Sequence, residues 1–157
     1  MRHPARTTPA LPAGTVVTAS STAPPDAVWA LLADPVRWPE WAPHIRRVTI
    51  ARGHEARPPL LAAGQLLVVH GAGPVGVRVR ITHVDRGRRW DWTVRLPGPW
   101  TLQTAHVVER DRDGSRMLFA QRVDGPAAAI ANWPARTAYA PLARTALRRL
   151  ARLAESG

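Results

Sequence analysis

Residues Ala23–His44 read APPDAVWALLADPVRWPEWAPH, and the placement of their prolines decides how the chain begins to fold. Pro24 and Pro25 suit a first helical turn, where missing N–H groups cost nothing, and Asp26 sets a negative charge at the positive helix end. Val28, Leu31 and Leu32 share one face, so a short amphipathic helix is predicted. It must stop at Asp34, because a residue before proline is driven out of the helical region. Trp38 and Trp41, three apart around Pro39, then project from one side of a second turn that Pro43 closes.

Beyond this turn the periodicity changes. From His44 to Asp124 the chain gives short alternating runs rich in valine, threonine and tryptophan, bounded by glycine and proline. Strands are expected near 44–51, 64–71, 75–85, 88–96, 100–110 and 115–124, with Thr15 to Ser20 as a first strand before the helices. Turn chemistry separates them at Gly71-Ala72-Gly73-Pro74, Asp85-Arg86-Gly87, Leu96-Pro97-Gly98-Pro99 and Asp111-Arg112-Asp113-Gly114. The stretch from Arg52 to Ala63, with Pro58-Pro59, reads as a longer connection able to cover the mouth of a cavity.

Alternation assigns faces. Val75, Val77, Val79, Ile81 and His83 fall on one side and Arg78, Arg80 and Thr82 on the other. By the same parity Trp90 and Trp92 oppose Arg89 and Asp91, and Trp100, Leu102, Thr104 and His106 oppose Gln103 and Ala105. The apolar sheet face needs a cover, which the last segment supplies through the helical stripe Tyr139, Leu142, Ala143, Ala146, Leu147, Leu150 and Leu153. Pro134 and Pro141 are expected to kink that helix or to delay its full start until about Pro141.

Composition excludes several functions. At 157 residues one domain suffices, burying roughly 68–70% of its unfolded surface; it is expected over 15–155, after a disordered tail at 1–14. There is no cysteine, which removes disulfides, thiolate nucleophiles and sulfur-ligated metals. The six histidines show no metal-ligand spacing, so no metal is expected. Gly71-Ala72-Gly73-Pro74-Val75-Gly76 fits the dinucleotide pattern, but an alternating β-branched run follows it where a helix is required, so it reads as a hairpin turn and no cofactor is expected. No apolar run is long enough for a membrane span and no secretory signal is seen, so a cytoplasmic protein is expected. The net charge of +11 comes from 22 arginines and no lysine, spread from Arg2 to Arg152 with no nucleic-acid-binding motif. No nucleic-acid partner is therefore expected, and Arg144, Arg148, Arg149 and Arg152 read as the solvated face of the last helix.

The opening stretch resembles the polyketide cyclase and lipid-transport superfamily, whose helix-grip fold the START and Bet v 1 proteins share. The likeness rests on Pro24, Pro25, Val28, Trp29, Leu32, Asp34, Trp38, Pro39, Trp41 and Pro43. It implies an α+β fold: a seven-stranded antiparallel sheet wrapped around a long C-terminal helix, with two short helices between the first two strands. It also implies a ligand tunnel between helix and sheet, lined by Trp38, Trp41, Val79, Ile81, Trp90, Trp92, Phe119, Gln121, Asn132 and Trp133. A cofactor-independent cyclase, aromatase or dehydratase of this family would use His83 or His106 as proton shuttle and Tyr139 or Asn132 as carbonyl donor. The other histidine reading, a hydrogen-bonded core residue, stands beside it. Such enzymes place an arginine inside the tunnel, whereas Arg78 and Arg80 fall outside unless a bulge reverses the strand. The implied partner is a hydrophobic, aromatic or polyketide-like small molecule, either transformed in natural-product biosynthesis or, in the alternative, only carried or sensed as a lipid, quinone or aromatic metabolite. A monomer or homodimer is expected.

Overall fold

The computed structural model describes residues 9–51 and 61–157. After strand β1 (Thr15–Ser21) come helix α1 (Pro25–Leu32), one 3-10 turn (Pro35–Arg37) and the single-turn helix α2 (Trp38–Trp41). Strands β2 (Arg47–Ile50), β3 (Leu66–His70), β4 (Val77–Asp85), β5 (Arg89–Arg95), β6 (Thr101–Asp111) and β7 (Gly114–Asp124) follow, then helix α3 (Ala128–Ser156). The seven strands form one antiparallel sheet in the order β1-β7-β6-β5-β4-β3-β2. Helix α3 packs on it together with α1 and α2. This is the α+β helix-grip arrangement expected from the sequence.

The joints follow the local chemistry. Pro24 is the extended N-cap of α1, and Asp34 Oδ1 accepts from the Val36 amide at 3.0 Å, so the proline that ends α1 also starts the next turn. The core gathers Val28, Leu31 and Leu32 of α1, Val79 and Ile81 of β4, Met117 and Phe119 of β7, and Ala143, Ala146, Leu147 and Leu150 of α3. Helix α3 runs without a break over 29 residues, so it starts at Ala128 and not near Pro141. Pro141 faces solvent, while the alanine and leucine stripe behind it is held against the sheet. Leu142, assigned to that stripe, is 42% exposed; Ala140 and Ala154 take its place.

The outer sheet face also carries an organised feature. Arg89 makes a two-pronged ion pair with Asp91, both bonds at 2.7 Å, and donates further to the carbonyls of Pro9 and Ala10 at 2.5 and 3.2 Å. Of the segment 1–14 expected outside the fold, residues 9 and 10 therefore rest on β5. The expected tail at 1–8, and the part of the 52–63 connection at 52–60, lie outside the described residues.

At the β7–α3 junction, Ala127 adopts φ 52 and ψ 37, the one left-handed non-glycine backbone among the described residues. An L side chain there costs roughly 1–2 kcal/mol. Ala127→Gly is expected to raise stability by about 1 kcal/mol, or about 2–4 °C in Tm for a chain of this size. Gly125→Ala should lower it, since φ is 144 and a Cβ there would run into the Trp100 ring. Thermal unfolding of both variants checks the pair.

Candidate functional site

Strand alternation brings the inward side chains of three neighbouring strands beneath α2 and α3. Trp90 and Trp92 of β5 pair with His106 and Thr104 of β6, which pair in turn with Phe119 and Gln121 of β7. Above them sit Trp38 and Trp41 of α2 and Tyr139 of α3. The rings interlock: Trp90 stacks on Trp38 at 5.0 Å and on His106 at 3.7 Å, while Trp92 stands edge-on to all three at 5.3–5.4 Å. Phe119 meets the His106 ring at 4.6 Å and Trp41 at 5.9 Å. The space left between them is about 40 Å³.

The four indoles fall into two kinds. Trp38 Nε1 donates to the Leu32 carbonyl at 3.0 Å, and Trp41 Nε1 to the Leu31 carbonyl at 3.3 Å. Both therefore satisfy orphan carbonyls at the C-terminal end of α1, in the position where a helix lacks internal donors. Trp90 Nε1 and Trp92 Nε1 are buried with no hydrogen-bond partner, and so are His106 Nδ1 and Gln121 Oε1. A buried polar atom left unpaired costs roughly 1–3 kcal/mol, so the three in one aromatic cluster, on Trp90, Trp92 and His106, form a concentrated unmet demand for hydrogen bonds.

Burial also fixes the protonation states. Desolvation pushes the His106 pKa down to about 3, helped by the charge of His44 and only partly offset by the Trp90 backbone. At neutral pH the ring is an uncharged imidazole. Tyr139 is raised above its ordinary value by burial and stays a phenol. His44, at the edge of the pocket, is lowered by desolvation.

Other expected site residues are placed differently. The register shifts between Ile81 and His83, so His83 pairs with Asp91 on the outer face and Val84 takes the inward position opposite Trp90. A bulge inverts every side chain that follows it, which removes His83 from the pocket. Asn132 is engaged by its own neighbourhood: Oδ1 accepts from the Val123 amide at 2.9 Å, and Nδ2 donates to the Val123 and Ala128 carbonyls at 2.8 and 2.6 Å. It ties α3 to β7 and offers no free donor. Trp133 points outward at 69% exposure, and Val79 and Ile81 are buried in the core beside the pocket. Arg78 and Arg80 are exposed, and no arginine lines the pocket. Sequence reading did not single out His44 or Thr104. Thr104 shares the parity of His106, and His44 directly follows the proline that closes the tryptophan turn.

Among the described residues no three histidine, aspartate or glutamate side chains gather into a metal-holding group. No described helix is long and apolar enough to cross a membrane.

Protonation of His106 is disfavoured in the fold and free in the unfolded chain, so its linkage term is absent above about pH 6.5 and costs stability as pH falls toward about 3. Inside that window the loss approaches about 1.4 kcal/mol per pH unit. His106→Phe, which keeps an aromatic against Trp90, should flatten the decline, and denaturant titrations from pH 7 to 4 read it directly. Trp38→Ala should cost roughly 3–5 kcal/mol, since it empties a fully buried site.

The comparisons with known proteins agree with this architecture. Protein MLL2253 from Mesorhizobium loti superposes with a TM-score of 0.67 at 16% identity, covering 90% of this chain and 96% of that one. Protein NE0264 from Nitrosomonas europaea gives 0.70 at 13% identity, covering 90% and 94%. DynU16, from the dynemicin biosynthetic locus, gives 0.66 at 18% identity over 91% of this chain and 47% of its own. No curated protein matches the chain in sequence. The family model for polyketide cyclase / dehydrase and lipid transport matches residues 13–155, so the chain belongs to that family.

Proposed function

We propose that this protein binds a small, flat, uncharged aromatic or polyketide-like molecule bearing carbonyl or hydroxyl groups, in the pocket around His106. The observation that carries the reading is the set of three buried, unpartnered nitrogens on the pocket-lining residues Trp90, Trp92 and His106. Two are indole donors, and the third is an imidazole nitrogen that takes either role by tautomer. Aromatic walls supply the apolar contact, and these atoms select for an oxygenated ligand over a plain hydrocarbon. Family membership and the dynemicin-locus neighbour point to the same broad chemistry.

Carriage or sensing fits the titration behaviour better than turnover. A proton shuttle works best with a pKa near the operating pH, and burial holds His106 far below it. Cyclisation or dehydration is the second reading, favoured by Tyr139 and His106 facing one pocket; it requires the bound ligand to raise the basicity of the imidazole. Either way the walls must yield, because about 40 Å³ is well below the roughly 150 Å³ that holds a benzene ring. Trp92 and Tyr139, less deeply buried than Trp38 and Trp90, are the lining side chains that would have to move.

Tryptophan emission should shift saturably with a naphthol or a hydroxyanthraquinone. Naphthalene should bind about tenfold more weakly, the worth of one to two net hydrogen bonds. His106→Phe should narrow that preference. An unaltered spectrum across these compounds and a fatty acid would defeat the proposal, and loss of a ketone substrate on mixing, abolished in His106→Phe, would replace carriage by catalysis.

A further inference from the structure

The outward side of helix α3 is divided along its length. Ile130 and Trp133, 76% and 69% exposed, stand at its front, where with Leu96, Pro97, Trp100 and Val123 they line an open apolar groove of about 650 Å³. Ile130 and Arg148 are 18 residues apart, five turns at 3.6 residues each, and so point the same way. Arg144 and Arg152 flank Arg148 by one turn on either side, Arg149 stands beside them, and all four are exposed. Among the described residues none of the four pairs with a carboxylate. The one acid of α3, Glu155, is occupied by the Ser21 hydroxyl and the Thr22 amide. An apolar, tryptophan-bearing end and a bare arginine end thus share one ridge about 33 Å long.

From this arrangement we infer that the outer ridge of α3 docks on an anionic phospholipid surface. The front inserts Ile130 and Trp133 among the acyl chains at the interface, where an indole is favoured. The arginines meet the lipid phosphates, each cation near such a surface contributing independently to attachment. Charge complementarity selects this occupant: the chain carries +11 overall, and the ridge presents its cations beside a patch that an acyl layer covers and a nucleic-acid backbone leaves exposed. The docking surface is separate from the His106 pocket, so the ligand reading and the membrane reading stand or fall apart.

Sedimentation of the full chain with vesicles is the test. Vesicles of phosphatidylcholine with about a third phosphatidylglycerol should capture the protein, pure phosphatidylcholine should not, and raised salt should release it. Trp133→Ser and Ile130→Ser should each weaken capture about tenfold, and the double variant Arg148→Ser with Arg152→Ser by tenfold or more. These side chains are exposed, so the variants keep the fold. Failure to bind anionic vesicles, equal binding to neutral ones, or capture that none of the variants alters overturns the inference. So does arginine-dependent binding of a DNA duplex by a protein that ignores vesicles.

Discussion

Two indole N–H groups spent on the end of helix α1 hold the interior in place. Pro35 stops α1 and leaves the carbonyls of Leu31 and Leu32 without helical partners. Trp38 and Trp41, one and two turns further on, supply the missing donors. The polar requirement of a broken helix therefore fixes where two large aromatic surfaces stand. Because Trp38 is pinned, Trp90 has a flat partner to stack on, and His106 is stacked in turn on Trp90. The geometry of the pocket is inherited from the way one short helix ends.

The same aromatic cluster contains both satisfied and unsatisfied polar groups, and the two sets sit on different elements, α2 against β5 and β6. Rings whose polar atoms are paired internally have every reason to remain where they are. Trp90 of β5 and His106 of β6 are as deeply buried, with Trp92 half-buried beside them, yet these three rings each carry a nitrogen with no partner. A pure core would place phenylalanine or leucine at such positions and avoid the desolvation penalty. Under the proposed binding, a ligand with complementary oxygens would supply the partners that these nitrogens lack.

Much of this was legible in the residues, and what was not has identifiable causes. Parity placed Trp90, Trp92, His106 and Gln121 on one side because β5, β6 and β7 pair without interruption. Parity failed at His83 because the β4 bulge lies within a run of alternating residues that gives no glycine or proline to mark it. Asn132 looked like a free amide at the helix front, since the backbone groups it binds, at Val123 and Ala128, are neighbours only after β7 turns into α3. The resemblance implied a ligand tunnel walled by Trp38, Trp41, Trp90 and Trp92. Composition cannot distinguish rings that border a space from rings that fill it, and here they mostly fill it.

The pairing of Arg89 with Asp91 beneath the carbonyls of Pro9 and Ala10 gives the pocket an anvil. These two residues alternate with Trp90 and Trp92 on the same strand, so the backbone carrying the unpaired indoles is braced from behind by charge and by the N-terminal strap. Strand β5 cannot retreat without breaking that brace. Under the proposed function a guest would therefore be accommodated without retreat of the β5 backbone, by movement of side chains in the pocket and of the helix above them.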